Sequence, residues 1–158
     1  MDIGCYPIKT SRMVFDEEPR RVAATLVRDP VFDTDILTSA ILEYPSGHCV
    51  FSCSTQVAPN QSMEFFGTAG RLEIEVPFNP RTPGTSRIRI DDGRDVFGSG
   101  ITVEDFESCD QYTIQGDLFS QAVLNDTPVP TPLSDAVANM RAIDAIFESG
   151  KRGAWVTM

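Results

Sequence analysis

The sequence predicts an α+β fold, in which a predominantly antiparallel sheet carries helices on one face and leaves its other face open. Stretches rich in β-branched and aromatic residues, separated by turn residues, fill the middle of the chain. Stretches with helical apolar spacing lie at its beginning and near its end. A run of strands flanked by helices is typical of the α+β class.

The length and the charge of the chain limit its class and its partners. It has 158 residues and a formal net charge of −10, and this length suits a single domain over residues 1–158. The negative charge repels nucleic-acid phosphates and anionic lipids, so we expect no nucleic-acid partner. No apolar run approaches the ~20 residues of a membrane-spanning helix and no signal peptide is visible, so we expect a cytoplasmic protein without a membrane partner.

The first predicted element is a helix over residues 4–15, with Pro7 in its first turn, where a missing N–H leaves no hydrogen bond unmade. Predicted strands follow at 20–27, 35–44 and 48–56, and the turn YPSG joins the last two as a hairpin.

The strand at 35–44 has apolar residues on both of its faces. Leu37 and Ile41 alternate with Ile36, Ala40 and Leu42. Helices on one side would leave an apolar face uncovered on the other, and large exposed apolar faces mark interfaces. We therefore expect a homo-oligomer formed through the open sheet face.

The second half of the chain predicts a further hairpin and two helices. The hairpin covers 63–76 around GTAG, and strands at 87–90 and 100–106 follow a proline-rich excursion at 77–86. A helix over 108–125 ends at TPVPTP, and the last helix is expected to be capped by Ser134. A closing strand, AWVT, ends the chain. The last helix carries an apolar stripe that we predict to be core: Val137, Met140, Ile143, Ile146 and Phe147.

The patterns predict no metal site and no phosphate loop. Cys49 and Cys53 share one face of a strand but lie roughly 13 Å apart, too far for a disulfide, and His48 points to the opposite face. We expect free thiols in a reducing compartment. The acidic run DDGRD lacks the ligand pattern of a calcium loop, and GTAG lacks the lysine of a P-loop, so both are interpreted as turns.

The opening stretch, DIGCYPI, is the candidate site. Asp2 lies ahead of the first helix and Tyr6 lies in its first turn on the same side, so a carboxylate and a phenol converge. A phenol transfers protons near neutrality when a cation or the reacting oxygen favours its ionised form, and Lys9 is the nearby cation. These residues alone leave two readings open: a helix cap beside a packed aromatic ring, or a substrate site.

DIGCYPI with Arg12, then GTAGRLEI, QYTIQGDLFSQAV and SDAVANMRAIDAIFESGKRGAWV, resembles in order the C-terminal domain of the Gfo/Idh/MocA oxidoreductases. These are relatives of glucose-fructose oxidoreductase, inositol dehydrogenase and dihydrodiol dehydrogenase. In that family this domain is an open-faced, mostly antiparallel sheet with helices on one side, and the open face often mediates oligomerisation. Tyrosine at the position of Tyr6 resembles the branch of glucose-fructose oxidoreductase, dihydrodiol dehydrogenase and NADP-dependent xylose dehydrogenase.

The family motif places an Asp, a Gly two positions later and a catalytic His or Tyr four positions after the Asp. Asp2, Gly4 and Tyr6 match it, so the resemblance implies that Tyr6 transfers a proton and that Asp2 neighbours it at the substrate. Lys9 and Arg12, on the same helix, are then substrate-binding candidates, although many relatives carry Asn or Asp where this chain has Lys9.

The resemblance also implies that a separate domain binds the cofactor. The family's N-terminal Rossmann domain, with its glycine-rich turn and catalytic lysine, has no counterpart here, and Gly98 and Gly100 make no dinucleotide fingerprint. We therefore expect the substrate-binding and oligomerisation domain of an NAD(P)-dependent oxidoreductase acting on a sugar or cyclic diol, cut as a fragment. This domain would bind no cofactor by itself and would be inactive alone. The alternative is a stand-alone, non-catalytic module that binds a polyol or dimerises.

Overall fold

Eight strands and three helices make up the fold, in a computed structural model that describes residues 1–81 and 83–158. The chain divides into two units, unit 1 with Met1–Ala58 and Pro130–Met158 and unit 2 with Pro59–Val129. In chain order the elements are α1 (Cys5–Phe15), β1 (Arg21–Arg28), β2 (Asp35–Glu43), β3 (His48–Ser54), β4 (Met63–Gly67), β5 (Gly70–Ile74), β6 (Thr85–Asp91), β7 (Ile101–Glu107), α2 (Gln111–Asn125), α3 (Leu133–Arg152) and β8 (Val156–Thr157). Each unit contains one antiparallel sheet, which confirms the α+β class.

The sheet of unit 1 has the strand order β3-β2-β1-β8 and carries α3 against β1. Burial alternates along β2 as a strand with one covered face requires. Ala40 and Leu42 are buried, whereas Leu37 and Ile41 are more than one-third exposed. The predicted strand with two apolar faces is therefore confirmed. The core of unit 1 lies on the covered face and includes Ile8, Val22, Ala40, Leu42, Tyr44, Phe51, Ala142, Ile143 and Ile146.

The last helix covers less of the sheet than its apolar stripe predicts. Ile143 and Ile146 are buried as expected, but Val137 and Met140 are 52% and 53% exposed. The first half of α3 contacts α1 instead, where the Asn139 amide donates to the Cys5 carbonyl. The expected Ser134 cap was also wrong, because α3 begins at Leu133 and has no side-chain cap.

Unit 2 has the strand order β4-β5-β6-β7. Its predicted hairpin is confirmed, with Gly67 paired to Gly70 around the turn. On the wet face, Glu73 of β5 lies 3.7 Å from Arg89 of β6, a cross-strand ion pair. The sequence predicted one sheet of about five to seven strands. The structure has two, because residues 55–62, which include Pro59, break the ladder between β3 and β4.

α2 begins three residues later than predicted, at Gln111, because the Asp110 side chain accepts hydrogen bonds from the Tyr112 and Thr113 amides. The predicted helix is confirmed. Every residue of α2 is described, and of its apolar side chains Ala122 is buried whereas most are exposed. Across residues 1–81 and 83–158, none of the helices is both long and apolar enough to cross a bilayer.

Candidate functional site

Gly4 allows α1 to begin close to the end of β3. A Cβ atom at this position would lie 3.2 Å from the Cys53 sulfur and would collide with the Met1 side chain. The helix therefore starts from a residue without a side chain, in a turn where the Tyr6 amide donates to the Ile3 carbonyl at 3.3 Å. This packing gives the glycine of the DIGCYPI motif a structural role.

The two predicted catalytic residues lie at the start of α1, with Asp2 in the turn before the helix and Tyr6 in its first turn. Tyr6 and Met13, seven residues apart, lie along one side of the helix. The Tyr6 side chain is 48% exposed and Asp2 is exposed, whereas Ile8 and Ser11 on the opposite side are buried. The Asp2 carboxylate and the Tyr6 phenol are therefore both accessible at the start of α1.

Lys9, predicted to bind substrate, lies on the same face but is held by a partner on another helix. Its ammonium donates to the Asp135 carboxylate at 2.7 Å, and its side chain is 42% exposed. This hydrogen bond lowers the pKa of Asp135, and the charges of Lys9 and Arg12 lower it further. The positive charge therefore stays within one turn of Tyr6.

Arg12, the other predicted substrate-binding residue, is buried in an ion-pair network. Its guanidinium donates to both Glu18 carboxylate oxygens at 2.8 and 2.6 Å, and to Asp135 at 3.1 Å. The hydrogen bond to Glu18 raises the pKa of Arg12. A cavity of about 410 Å³ borders this network. Arg12 therefore links α1 to α3 and to the segment that follows α1.

A second cavity, of about 290 Å³, lies beside Asp2. It is formed within unit 1 by the turn before α1, the start of β2 and the end of β3. Its lining residues are Met1, Asp2, Ile3, Thr34, Asp35, Ile36, Cys53, Ser54 and Thr55. Burial and the nearby Asp35 carboxylate raise the pKa of Cys53, so this thiol stays protonated beside the cavity.

Neighbouring groups fill the two glycine-containing turns, at Gly67–Gly70 and at Gly98–Gly100. The turn at Gly67 to Gly70 is closed by the sheet, because a Cβ at Gly70, whose φ is 149°, would lie 2.2 Å from the Asp91 carbonyl oxygen. Gly100 packs against the Asp92 carboxylate in the same way, so neither turn forms a phosphate cradle.

The predicted interpretation of DDGRD as a turn is confirmed. Asp91 pairs with Arg71 at 3.2 Å, and the Asp92 carboxylate accepts from Arg94. Within residues 1–81 and 83–158, no three His, Cys, Asp or Glu side chains cluster closely enough to hold a metal ion. The four cysteines are free, as expected.

Sequence reasoning identified Asp2 and Tyr6 but missed the groups that surround them. Asp135 of α3 is one of them, through its hydrogen bonds to Lys9 and Arg12 of α1. Thr34 and Thr55 were not considered, because each is an ordinary polar residue near a strand end. No local signal could have found them, since they join the Asp2 cavity only through the pairing of β2 with β3.

The chain matches known proteins over its whole length. A profile of the GFO/IDH/MocA C-terminal domain matches residues 1–73. An uncharacterised oxidoreductase of Rhizobium meliloti is 38% identical over 99% of this chain. The NADP(+)-dependent D-xylose 1-dehydrogenase 2 of Haloferax volcanii is 31% identical over 100% of it. The chain spans 47% of the length of each, about half of these relatives.

Solved structures show the same fold. The aldose-aldose oxidoreductase of Caulobacter crescentus, in complex with glycerol, superposes with a TM-score of 0.85 at 22% identity over 100% of this chain and 47% of its own. A 3-ketoreductase of Actinomadura kijaniata, in complex with TDP-benzene and NADP, superposes with a TM-score of 0.82 at 23% identity over 94% of this chain and 46% of its own. Together with the order of motifs from DIGCYPI to the last helix, these matches show that the chain is similar in sequence and in fold to the C-terminal domain of the Gfo/Idh/MocA oxidoreductases.

Proposed function

We propose that this chain is the substrate-binding and oligomerisation domain of an NAD(P)-dependent oxidoreductase acting on a sugar or cyclic diol, and that it is inactive alone. The observation that carries this proposal is that Asp2, in the turn before α1, and Tyr6, in the first turn of α1, are both exposed. The relatives support the substrate class, because the Haloferax volcanii protein is a D-xylose 1-dehydrogenase. They are also about twice as long as this chain, which leaves room for a dinucleotide-binding half.

In this proposal Tyr6 exchanges a proton with the reacting hydroxyl or carbonyl oxygen of the substrate. The Asp2 carboxylate accepts a hydrogen bond from a neighbouring substrate hydroxyl and so fixes the position of the reacting carbon. Lys9 follows Tyr6 by three residues on α1, and Asp135 holds its ammonium at the contact between α1 and α3. Arg12 acts as a positioning residue that fixes α1. The nicotinamide, held by the separate half, supplies the hydride chemistry.

The open face of the unit 1 sheet is proposed as the contact between copies of the chain. Ile41 pairs with Val50 across β2 and β3, and their side chains are 38% and 73% exposed. Val27 and Leu37 extend the apolar surface on β1 and β2.

The free thiols favour a reducing compartment, and we place the protein in the cytoplasm on that ground.

The experiment joins the N-terminal half of the Haloferax volcanii dehydrogenase to Met1 of this chain and measures oxidation of D-xylose with NADP. The chimera should turn over, and Tyr6→Phe should lower kcat by about 100-fold because the proton has no acceptor. The NADPH affinity should change less than about twofold, since Tyr6 lies outside the nucleotide site.

Tyr112→Phe is the matched control, because Tyr112 is also an exposed tyrosine in the first turn of a helix but lies in unit 2. It should leave kcat unchanged. A chimera that binds NADPH and oxidises sugar equally well with Tyr6→Phe would remove Tyr6 from the mechanism. A chimera that binds NADPH and D-xylose without turnover would favour the non-catalytic polyol-binding module.

A further inference from the structure

The cavity beside Asp2 has the size of a site for one small molecule. Its volume of about 290 Å³ lies at the lower end of the ~300–1,000 Å³ that is typical of ligand pockets. A single sugar ring or a cyclic diol suits this volume, whereas a dinucleotide or an oligosaccharide is too large for it.

Two of the polar side chains that line this cavity, those of Asp35 and Ser54, make hydrogen bonds within the protein. The Asp35 carboxylate accepts from the Met1 ammonium at 2.6 Å and from the Thr38 hydroxyl at 3.3 Å. The Ser54 hydroxyl donates to the Ile36 carbonyl at 2.6 Å. These bonds link the walls of the cavity to one another.

Three other polar side chains line the cavity. In the part of the chain that the structure describes, the side chains of Asp2, Thr34 and Thr55 make no hydrogen bond or ion pair, and all three residues are exposed. A carboxylate accepts hydrogen bonds, and a hydroxyl both donates and accepts them. This combination complements the hydroxyls of a polyol, each of which is itself a donor and an acceptor.

The remaining lining is apolar. Ile3, Ile36 and Cys53 also line the cavity; Ile36 and Cys53 are partly buried, and Ile3 is 37% exposed. A sugar ring has C–H groups as well as hydroxyls, so a lining with both apolar and polar side chains suits it.

We propose that this cavity is a hydroxyl-binding subsite, in which Thr34 and Thr55 bind substrate hydroxyls remote from the reacting carbon and determine which sugar or diol is accepted. The inference rests on the proposed function, since it takes Asp2 as the residue shared by the subsite and the reaction centre. Thr34 and Thr55 are specificity-determining residues here, not catalytic ones.

The test uses this chain as it is, with D-xylose as the probe and amide NMR shifts as the readout. D-Xylose should shift the amides of Ile3, Ile36 and Thr55 in a saturable way at millimolar concentrations. Thr34→Val and Thr55→Val remove a hydroxyl while nearly keeping the side-chain shape, and each should weaken binding about 3- to 10-fold, the effect of one hydrogen bond.

Ser52→Ala is the control, because Ser52 lies on β3 but pairs its hydroxyl with Ser39 at 2.8 Å, outside the cavity lining. It should leave the affinity unchanged. Absence of saturable shifts up to 200 mM D-xylose, or shifts confined to Tyr6 and Met13, would overturn the subsite. Equal affinity of the two valine variants and the unchanged chain would overturn the role of the threonines. None of these results bears on the proton transfer by Tyr6, which the chimera tests separately.

Discussion

Ser149 ties the end of α3 to the sheet of unit 1 through a single buried hydroxyl. It accepts from the Ala24 amide at 2.9 Å and donates to the Ala154 carbonyl at 2.7 Å. β8 pairs only with Arg21 and Val22 of β1 in the described ladder, so the Ala24 amide would otherwise lie beyond the end of that pairing. One side chain therefore satisfies two backbone groups where the sheet stops.

Replacing Ser149 with alanine should lower the free energy of unfolding by about 1–3 kcal/mol, because it leaves a backbone donor and a backbone acceptor without a partner. Chemical denaturation of the two proteins checks this. Ser120→Ala is the matched control, since the Ser120 hydroxyl donates to the Gly116 carbonyl within an exposed helix turn. A Ser149→Ala protein as stable as the control variant would show that water replaces the hydroxyl.

At the scale of elements, ion pairs add to the apolar contact between α1 and α3, where Ile8 lies in the same buried cluster as Ala142 and Ile146. Asp135 in the first turn of α3 accepts hydrogen bonds from both Lys9 and Arg12 of α1. Its position also places a negative charge near the helix N-terminus, where the helix dipole stabilises it. The candidate catalytic face of α1 is thus oriented by one carboxylate on another helix.

The lowered pKa of Asp135 predicts a dependence of stability on pH. A carboxyl whose pKa is lower in the folded state stabilises the protein above its unfolded pKa of about 3.9, and this contribution is lost as the pH falls through the folded value. Asp135→Asn should therefore have a lower Tm than the unchanged chain at pH 7. The difference should shrink as the pH falls from about 4 through the folded pKa of Asp135, below which both proteins lack the charge.

Thermal melts between pH 7 and pH 3 measure this difference. Asp144→Asn serves as the control, because Asp144 is an exposed carboxylate on the same helix with no ion pair among the described residues. Its Tm should follow that of the unchanged chain at every pH. A constant gap between Asp135→Asn and the unchanged chain down to pH 3 would mean that shape, not charge, joins the two helices.

At the scale of the whole molecule, unit 1 leaves one apolar sheet face without a covering layer. Val27, Leu37, Ile41 and Val50 are each at least 36% exposed on that face. In the proposed contact a second copy of the same face is the complementary surface, and stable interfaces bury about 800 Å² from each partner. The apolar and hydroxyl side chains lie in the middle of this face, and the ion pair of Arg21 with Glu43 lies at one end of it.

Light scattering should therefore find a particle of at least twice the 17.4 kDa mass of the chain. The double variant Ile41→Lys with Val50→Lys should be monomeric, because it places charges at the centre of the contact. Val96→Lys changes a residue that is 93% exposed in a turn of unit 2, and it should leave the particle mass unchanged. A monomeric unchanged chain at 100 μM would exclude the open face as a stable contact.

Most elements of this fold could be predicted from the sequence because their signals are local. The alternation of Ala40 and Leu42 with Leu37 and Ile41 established both the strand and its two apolar faces, and DIGCYPI established the helix start and the candidate pair Asp2 and Tyr6. Propensity, turn residues and apolar period depend on neighbours within a few positions, so they can be interpreted without knowing the fold.

What the sequence determined by itself is the resemblance to the family, the order of elements and the two residues proposed for chemistry. The tertiary structure decided which charged groups lie around α1, because Lys9 and Arg12 meet Asp135 across 126 and 123 positions of chain. It also decided that Met140 lies half exposed and that Thr34 and Thr55 line one cavity. Contacts at such separations depend on how strands pair and helices pack, and no local pattern records them.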